Sequence, residues 1–424
     1  MNHWKWKKSH QIRKDKKYRL DKTFHKGDPA AYLFAYLFGA PDQPRPEYEP
    51  TKVTNVLIYD ADLRYVGMID DYEYLSWTRK WRRPHTFELQ INRYKNNANQ
   101  LQAGYFVVVS RGGQYRAGRV EHRELGLDQE GKLSENWKIV GKSVSNTFEH
   151  RIAIHLTDSG NGYDEQSEVA EMLMRHYVDV NCIDPKDDTR KVPGLVLGTP
   201  YIRGPSLSYR ARFQTVADIL EELSYVSGLG YDVRFDLEQS QFVFDVLEGK
   251  DLTQSQTEHP PVTFSPEFGN VQMISYRYSE LDVKNVAYVA GQGAAEEREV
   301  IEMSDGTQSG FNRREMLVDA RDLETTAQLQ QRGEEKLAEY ASQLILEIKH
   351  LPGGPFTYMT DFDLGDIVHA VYPEIGSMDA RIVEVVEQID VTGDQYYITL
   401  GNEWPDIIGI MSREQRNNSV ESRR

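Results

Sequence analysis

The chain has 424 residues with 50 Lys and Arg against 66 Asp and Glu, and its net charge of −16 argues against a protein that grips DNA or RNA over its whole surface. Its length suggests roughly two to four domains, and a hydrophobic content of 39% excludes a disordered or collagen-like chain. The single cysteine, Cys182, excludes an intrachain disulfide and a cysteine-rich zinc site.

Residues 1–50 are predicted to form a basic arm, a short helix and a stiff Pro-rich spacer. Residues 1–26 hold ten Lys or Arg and two Asp, a net charge of +8. The apolar run at 30–40 begins after Asp28 and Pro29, and it is shorter than the roughly 20 residues that a transmembrane helix needs. We therefore predict no stable membrane insertion.

The arm alternates cations with aromatic side chains, a pattern also found in single-strand binders and membrane-surface peptides. Because the rest of the chain is strongly acidic, the pattern favours docking on an acidic partner over binding to nucleic acid or lipid. The candidate docking residues are Trp4, Lys5, Trp6, Lys7, Lys8, Arg13, Lys14, Lys16, Lys17, Arg19, Tyr32, Leu33, Tyr36 and Leu37.

Residues 51–155 are predicted to form a first β-rich domain. Apolar residues occur with period two near 53–58, 87–91, 106–109 and 137–140, and glycine-containing turns separate these runs. Such short strands are typical of an antiparallel sheet or barrel.

Residues 156–250 are predicted to form an α/β module. Apolar residues at helical spacing indicate one helix from Ser167 and a second after Thr215, which ends at Gly228. Alternation at 233–237 and 242–246 predicts a hairpin. His176 falls on the apolar side of the first helix and is interpreted as a hydrogen-bonded core residue.

The remainder is predicted to hold a second β-rich region at 251–320, followed at 321–405 by a long helix near 322–345 and terminal strands near 379–388 and 395–400. Strands are expected at 271–278 and 286–289, and residues 406–424 form a polar tail. The predicted fold class is α+β and mostly β.

No catalytic, metal-ligating or cofactor-binding residue is predicted. The glycine and lysine spacing at 126–133 resembles a phosphate-binding loop, but Leu133 stands where a hydroxyl must hold magnesium. The acidic run at 361–366 lacks the carboxylate that would complete a calcium loop, and it is interpreted as a turn that opens a strand. Carboxylate pairs suited to glycoside hydrolysis cannot be identified from spacing, so that possibility stays open.

Several short motifs occur in an order that resembles a known family. They are Ile58-Tyr59-Asp60, Val66-Gly67-Met68, Leu75-Ser76-Trp77, Phe87-Glu88-Leu89, Lys284-Asn285-Val286, Asp363-Leu364-Gly365-Asp366, Asp379-Ala380-Arg381 and Gly401-Asn402. From about Val53 to Asn402 the chain resembles the tail-hub, tail-associated or tail-tip proteins of long-tailed phages that infect Gram-positive bacteria.

The resemblance implies a structural protein without enzymatic activity, located at the distal end of the phage tail after synthesis in the host cytoplasm. A homotrimer would close the tail tube and join a hexameric distal-tail ring to tip fibres, a spike or a receptor-binding protein. Each subunit would carry two β-rich tube domains, barrel-like in form, around a lumen that holds the tape-measure protein and later passes genomic DNA. An acidic lumen wall would then repel DNA phosphates.

Two alternatives remain, a tail-tip cell-wall or glycan hydrolase and a receptor- or carbohydrate-binding tip protein. The chain departs from the family pattern in its first fifty residues, which precede the first strand. It also stops soon after Gly401-Asn402, so any cell-wall-cutting domain is expected on a partner.

Overall fold

The computed structural model describes residues 54–126, 131, 134–157, 160–293, 298–304, 306–321, 323, 325–340, 343–373 and 376–401. The predicted arm, helix and spacer at 1–50 and the predicted polar tail at 406–424 lie outside these residues.

Antiparallel strands dominate the first part of the described chain, and the strands predicted there from period-two alternation are confirmed. They are β1 (Val56–Tyr59), β2 (Tyr65–Ile69), β3 (Tyr74–Lys80), β4 (Thr86–Asn92), β5 (Phe106–Arg111), β6 (Gln114–Glu124), β7 (Asn136–Ser143), β8 (His155–Thr157) and β9 (Gly160–Gly162).

The middle part mixes helices with short strands. Its elements are β10 (Asp164–Val169), α1 (Ala170–Val178), β11 (Leu195–Leu197), β12 (Ser206–Ala211), α2 (Val216–Ser227), β13 (Gly230–Asp236) and β14 (Gln241–Leu247). The prediction for α2 is confirmed, because the Thr215 side chain accepts a hydrogen bond from the Asp218 amide and Gly228 ends the helix at φ +74°. The β13–β14 hairpin is confirmed as well.

The predicted start of the first helix at Ser167 is wrong. Ser167 belongs to β10, which pairs along its whole length with β12, and α1 begins only at Ala170. Hydrogen bonding to a partner strand more than thirty residues away therefore overrides the helical spacing of the apolar residues.

The last part contains β15 (Asp251–Leu252), β16 (Thr263–Phe264), β17 (Val271–Ser279), β18 (Val286–Ala290), β19 (Val300–Met303), β20 (Glu315–Asp319), α3 (Thr326–Glu339), β21 (Gln343–His350), β22 (Ile367–Tyr372), β23 (Gly376–Asp390) and β24 (Gly393–Gly401). The predicted helix at 322–345 is too long at its C-terminal end. Leu344 lies in β21, which pairs with β17 on one side and β24 on the other.

Short helical turns connect several of these elements. The 3₁₀ turns are Ala98–Gln100, Val144–His150, Asp188–Arg190, Pro266–Phe268 and Gly310–Asn312, and a π turn, Asp179–Ile183, continues α1.

One antiparallel sheet runs through most of the β strands. Its order is β17–β21–β24–β23–β3–β4–β7–β6–β5–β1–β2. The join between early and late strands is β3 with β23, paired from Tyr74 opposite Asp390 to Lys80 opposite Glu384. Strands β13 and β22 branch from β6 and β23.

Four apolar clusters form the cores of the described residues. One lies around α1, α2 and the β13–β14 hairpin, and a second lies under β3, β4 and β7. A third lies under β21, β23 and β24, and a small fourth lies between α3 and the sheet of β18, β19 and β20. The predicted fold class, α+β and mostly β, is confirmed.

Candidate functional site

The outer face of the long sheet is polar across seven adjacent strands, and we call it the polar sheet face. Directly opposed residues of antiparallel strands share a face, so the pairing register defines it as four rows. The rows are Ser275, Glu347, Thr399, Glu384, Lys80; Met273, Lys349, Tyr397, Val386, Thr78, Thr86, Lys142; Gln395, Gln388, Ser76, Glu88, Val140; and Asp390, Tyr74, Gln90, Lys138.

The polar sheet face is close to charge balance. Arg277, in phase with Met273 and Ser275 of β17, also lies on it and pairs with Glu347 at 3.1 Å. The four rows hold four carboxylates and four lysines, and two of the lysines pair with carboxylates of the same face: Lys80 with Glu384 at 3.5 Å and Lys138 with Glu88 at 3.1 Å. Lys349 lies 5.3 Å from the centroid of the Tyr397 ring. With Arg277 the face holds five cations and four carboxylates, so a chain with a net charge of −16 presents a nearly balanced surface over this sheet.

On the opposite side of the sheet, a buried ionic cluster connects strands β3, β5 and β6 of the first part of the chain with β23 and β24 of the last part. Glu387 on β23 is fully buried and accepts hydrogen bonds from Arg116 Nη1 at 2.7 Å and from the Tyr358 hydroxyl at 2.9 Å. Arg79 donates to the same Tyr358 hydroxyl at 2.7 Å and pairs with Asp363 at 2.5 Å. The cluster thereby joins β3 and β6 to β23 and to the turn before β22.

Arg111 on β5 extends the cluster to β24. It lies 3.6 Å from Glu387 and 2.7 Å from Asp394, and it also donates to the Tyr396 hydroxyl at 3.0 Å. Burial alone would raise the pKa of Glu387, but Arg116, Arg79 and Arg111 hold that pKa below its usual range. Three arginines and three carboxylates therefore balance one another, and Glu387 is charged at neutral pH.

Trp81, just beyond β3, forms a second junction between three parts of the chain. Its backbone amide donates to Val383 O at 2.9 Å, and its indole N–H donates to Gly228 O, at the end of α2, at 3.2 Å. A Cβ atom at Gly230 would lie 2.5 Å from the ring, and one at Gly365 would lie 2.1 Å from it. Glycine at both positions lets the backbone approach the indole closely.

Two buried histidines give the fold a predicted pH dependence. Burial lowers the pKa of His85 and of His350 from the ordinary value of 6.5. The folded state therefore binds fewer protons than the unfolded state below pH 6.5, so stability is full above that pH and falls as the pH drops toward the folded pKa values.

We expect each histidine to contribute a loss of up to about 1.4 kcal/mol per pH unit over that window. The measurement is the urea unfolding free energy at pH 7.5 and 5.5 for the unchanged chain and for His350→Gln, with exposed His122→Gln as control. His350→Gln should reduce the difference between the two pH values. An equal difference in all three proteins would contradict the assignment.

The sequence-predicted docking residues of the arm all lie outside the described residues. Most of the glycine and lysine run at 126–133 lies outside them as well. Two further interpretations can be placed. The run at 361–366 is a turn that leads into β22, as predicted, with the Asp363 amide donating to Asp366 at 2.8 Å. His176 is hydrogen-bonded, as predicted, through Nε2 at 2.8 Å from Asp164, although its side chain is only partly buried.

The described part of the chain holds neither a cluster suited to a metal ion nor a helix that could cross a membrane. Among those residues no group of three or more His, Cys, Asp or Glu is arranged to hold a metal ion. The helices of the same residues are all too short or too polar to cross a membrane.

The sequence interpretation missed the ionic cluster, although period-two alternation contained a signal for it. In β23, Glu387 is in phase with buried Val385 and Ile389, whereas Glu384 is in the opposite phase. Arg79 is likewise in phase with buried Leu75 and Trp77 of β3. Charged residues in the core phase of two strands predict a buried ion pair, because an unpaired charge there would be too costly.

Comparison with known proteins gives one family match. A family model described as Siphovirus ReqiPepy6 Gp37-like protein matches residues 55–402. A search of curated proteins found no match.

Two solved structures are similar to the chain in fold. The 43 kDa tail protein of prophage MuSo2 from Shewanella oneidensis is 12% identical with a TM-score of 0.52, over 82% of this chain and 98% of that one. The tail protein from Neisseria meningitidis MC58 is 15% identical with a TM-score of 0.51, over 82% of this chain and 97% of that one. At these identities the similarity is one of fold.

Proposed function

Because the chain belongs to the Siphovirus ReqiPepy6 Gp37-like protein family, we propose that it is a structural component of a siphophage tail and forms the hub at its distal end. The fold that it shares with two tail proteins supports this role. As a homotrimer it would join a hexameric distal-tail ring to tip fibres, a spike or a receptor-binding protein, in the virion of a phage with a Gram-positive host.

The observation that carries the proposal is the continuity of the polar sheet face across the β3–β23 junction. The strands of 51–155 and those of 251–405 contribute to one face instead of two separate ones. If these two regions are the tube domains, three copies place six similar units around a three-fold axis, which matches a six-fold ring. The ionic cluster and Trp81 would hold the two units of each copy in a fixed relation.

The polar sheet face is the proposed wall of the channel. Its five cations nearly match its four carboxylates, and three of them are directly paired with carboxylates of the face, so DNA phosphates meet little unpaired positive charge that would retain them. Because such a wall is nearly neutral, the tape-measure protein and then the genome could pass without being retained. We therefore propose a nearly neutral wall in place of the expected acidic wall, which would act by repelling phosphates.

The basic arm belongs to the same proposal as a docking segment. Its net charge of +8 complements an acidic tail protein, and Trp4, Trp6 and the apolar run at 30–40 would be buried in a groove of the neighbouring ring. Docking on a protein, and not on nucleic acid, is the interpretation that the acidic remainder of the chain favours.

The test combines mass and position. We expect light scattering to give the mass of three 48.9 kDa chains and virion images to show the protein at the far end of the tail tube. A variant without residues 1–26 should still form the trimer but fail to enter tails. A monomer without tail association, or a cleared band in a zymogram on Gram-positive cell walls, would contradict the proposal.

A further inference from the structure

A short antiparallel ladder precedes α2 and holds two apolar side chains at the surface. It consists of residues 151–154 and 213–216, and the Phe213 amide donates to Ala153 O at 2.9 Å. Ile152 is 45% exposed and Phe213 is 52% exposed, although isoleucine and phenylalanine are among the residues most often buried in a core. The ladder therefore presents both side chains to any molecule that contacts this part of the protein.

Two arginines lie beside Ile152 and are held there by backbone oxygens. Arg190 Nη2 donates to Ile152 O at 2.5 Å, and Arg151 Nε donates to Arg190 O at 3.0 Å. Asp187, in the same turn as Arg190, instead accepts hydrogen bonds from Thr189, from the amide at 2.9 Å and from Oγ1 at 2.7 Å. In the part of the chain that the structure describes, neither arginine forms a salt bridge. Both positive charges are therefore left without a carboxylate partner in that part.

A third arginine, Arg212, lies beside Phe213. Its guanidinium carbon is 4.8 Å from the centroid of the Phe213 ring and 5.2 Å from that of the Tyr163 ring. Arg210, 3.9 Å from the same Tyr163 ring, has Glu165 at 3.9 Å. Arg212, by contrast, has no carboxylate within salt-bridge distance among the described residues. The residues that combine exposed apolar groups with these three cations are called the arginine surface: Arg151, Ile152, Arg190, Arg212 and Phe213.

Phe213 is held in a strained backbone conformation. Its φ of +60° lies in the left-handed region, which a bulky side chain adopts only at a cost in free energy. The half-exposed ring recovers little of that cost by burial within one copy of the chain. Residues strained in this way concentrate at functional sites. The conformation therefore indicates that the Phe213 ring is positioned for contact with another molecule.

The composition of the arginine surface fits a protein partner that carries carboxylates. Arginine and aromatic side chains are enriched in the centres of protein interfaces, and a guanidinium can pair with a carboxylate through two hydrogen bonds. A nucleic acid fits less well, because Asp187 and Asp188 lie in the turn that carries Arg190 and would repel phosphates. The partner is therefore expected to be an acidic protein surface.

We propose that the arginine surface binds a second copy of this chain, head to tail, and this inference rests on the proposed homotrimer. Outside residues 1–26 the chain is strongly acidic, so a neighbouring copy supplies the carboxylates that the surface lacks. Three arginines cannot face the same three arginines across a two-fold axis, because like charges repel. The surface must instead meet a different, acidic surface of the next copy, and repeated contacts of this kind close into a ring such as a trimer.

The first test measures assembly of the full chain by light scattering. Arg212→Glu and Phe213→Gly should each raise the concentration at which the trimer dissociates by at least about tenfold. When both proteins are compared as monomers, Phe213→Gly should unfold at an equal or higher urea concentration than the unchanged chain, because glycine adopts a φ of +60° without strain. Arg64→Glu is the matched control, since Arg64 is exposed and pairs with Asp62 at 3.2 Å.

The outcomes separate this inference from the hub proposal. If the unchanged chain is trimeric and the two variants dissociate no more readily than Arg64→Glu, the inference is overturned and the hub proposal stands. An unchanged chain that stays monomeric overturns the inference, and its absence from phage tails would overturn the hub proposal as well.

The second test locates the occupant. A photoreactive benzoylphenylalanine at position 213 should cross-link copies of the purified chain, and the linked peptide should be an acidic segment of a second copy. The same group at position 391, where Val391 is 91% exposed between β23 and β24, is the control and should give no such product. A probe at 213 that links only within its own copy would contradict the proposal. So would binding of a single-stranded DNA oligonucleotide that Arg212→Glu abolishes.

Discussion

Replacing Glu387 with alanine is expected to lower the free energy of unfolding by about 3–5 kcal/mol, the loss typical of removing one partner from a buried ionic cluster. The carboxylate is fully buried and is the common partner of Arg116, Arg111 and the Tyr358 hydroxyl. Without it the cluster holds three arginines, two of them fully buried, against two carboxylates, and two hydrogen-bond donors lose their acceptor. Chemical denaturation of the purified protein at pH 7.5 measures the loss.

Glu384, on the same strand, provides the matched control. It is partly exposed on the polar sheet face and pairs with Lys80 at 3.5 Å, so Glu384→Ala should change stability by less than about 1 kcal/mol. Similar losses for the two alanine variants would show that the buried cluster has no special role in joining the early and late strands.

The pH dependence of the same variants separates charge from packing. Because the pKa of Glu387 is held below its ordinary value of 4.5, its contribution is full above that pH and disappears as the pH falls through the lower, folded-state value. As the pH falls below 4.5, the unfolding free energy of Glu387→Ala should therefore decrease less than that of the unchanged chain.

The sequence predicted local structure well where the determinants are local. The hairpin at 230–247 follows from alternation around a short turn, and α2 follows from Thr215 at its start and Gly228 at its end. The turn at 361–366 was predicted because its spacing fails the geometric demands of calcium binding. In each of these elements the pattern and its hydrogen-bond partners lie within about twenty residues of each other.

Elements whose form depends on distant partners were predicted less well. Residues 343–350 follow a helix directly and carry apolar residues that also fit helical spacing, but they pair with strands on both sides. Strand β3 pairs with β23 across some three hundred residues, and no periodicity in either strand specifies the other. The polar sheet face depends on those pairings, so its extent and charge balance could not be predicted.

The candidate site shows the same division. The period-two alternation of their strands places Glu387 and Arg79 on the buried side, but it does not identify the residues with which they pair. Trp81 gave no signal at all, because it lies just past the end of a strand and its contacts with Gly230 and Gly365 join three separate parts of the chain.

Trp81→Ala is expected to cost about 3–5 kcal/mol of unfolding free energy, as for other fully buried tryptophans. Trp81 is 1% exposed, and its ring fills the space between the end of α2, the start of β13 and the turn at Gly365. Removing the ring leaves a cavity that these backbones cannot close without breaking their own strand pairings. Urea denaturation measures the loss, and hydrogen exchange should show faster opening of 228–236 and 365–368 together.

A half-buried tryptophan supplies the comparison. Trp137 packs beside Arg123, whose guanidinium lies 3.8 Å from its ring centroid, and the polar sheet face does not depend on it. Trp137→Ala should cost less than about half as much, because the ring only partly packs against the second apolar cluster and a cation–π contact adds about 0.5–1 kcal/mol. If Trp81→Ala instead cost under 1 kcal/mol, or opened only one of the two segments, Trp81 would not be the junction that holds α2 and β22 to the end of β3. The fixed relation between the two β-rich regions would then rest on the β3–β23 pairing and the ionic cluster.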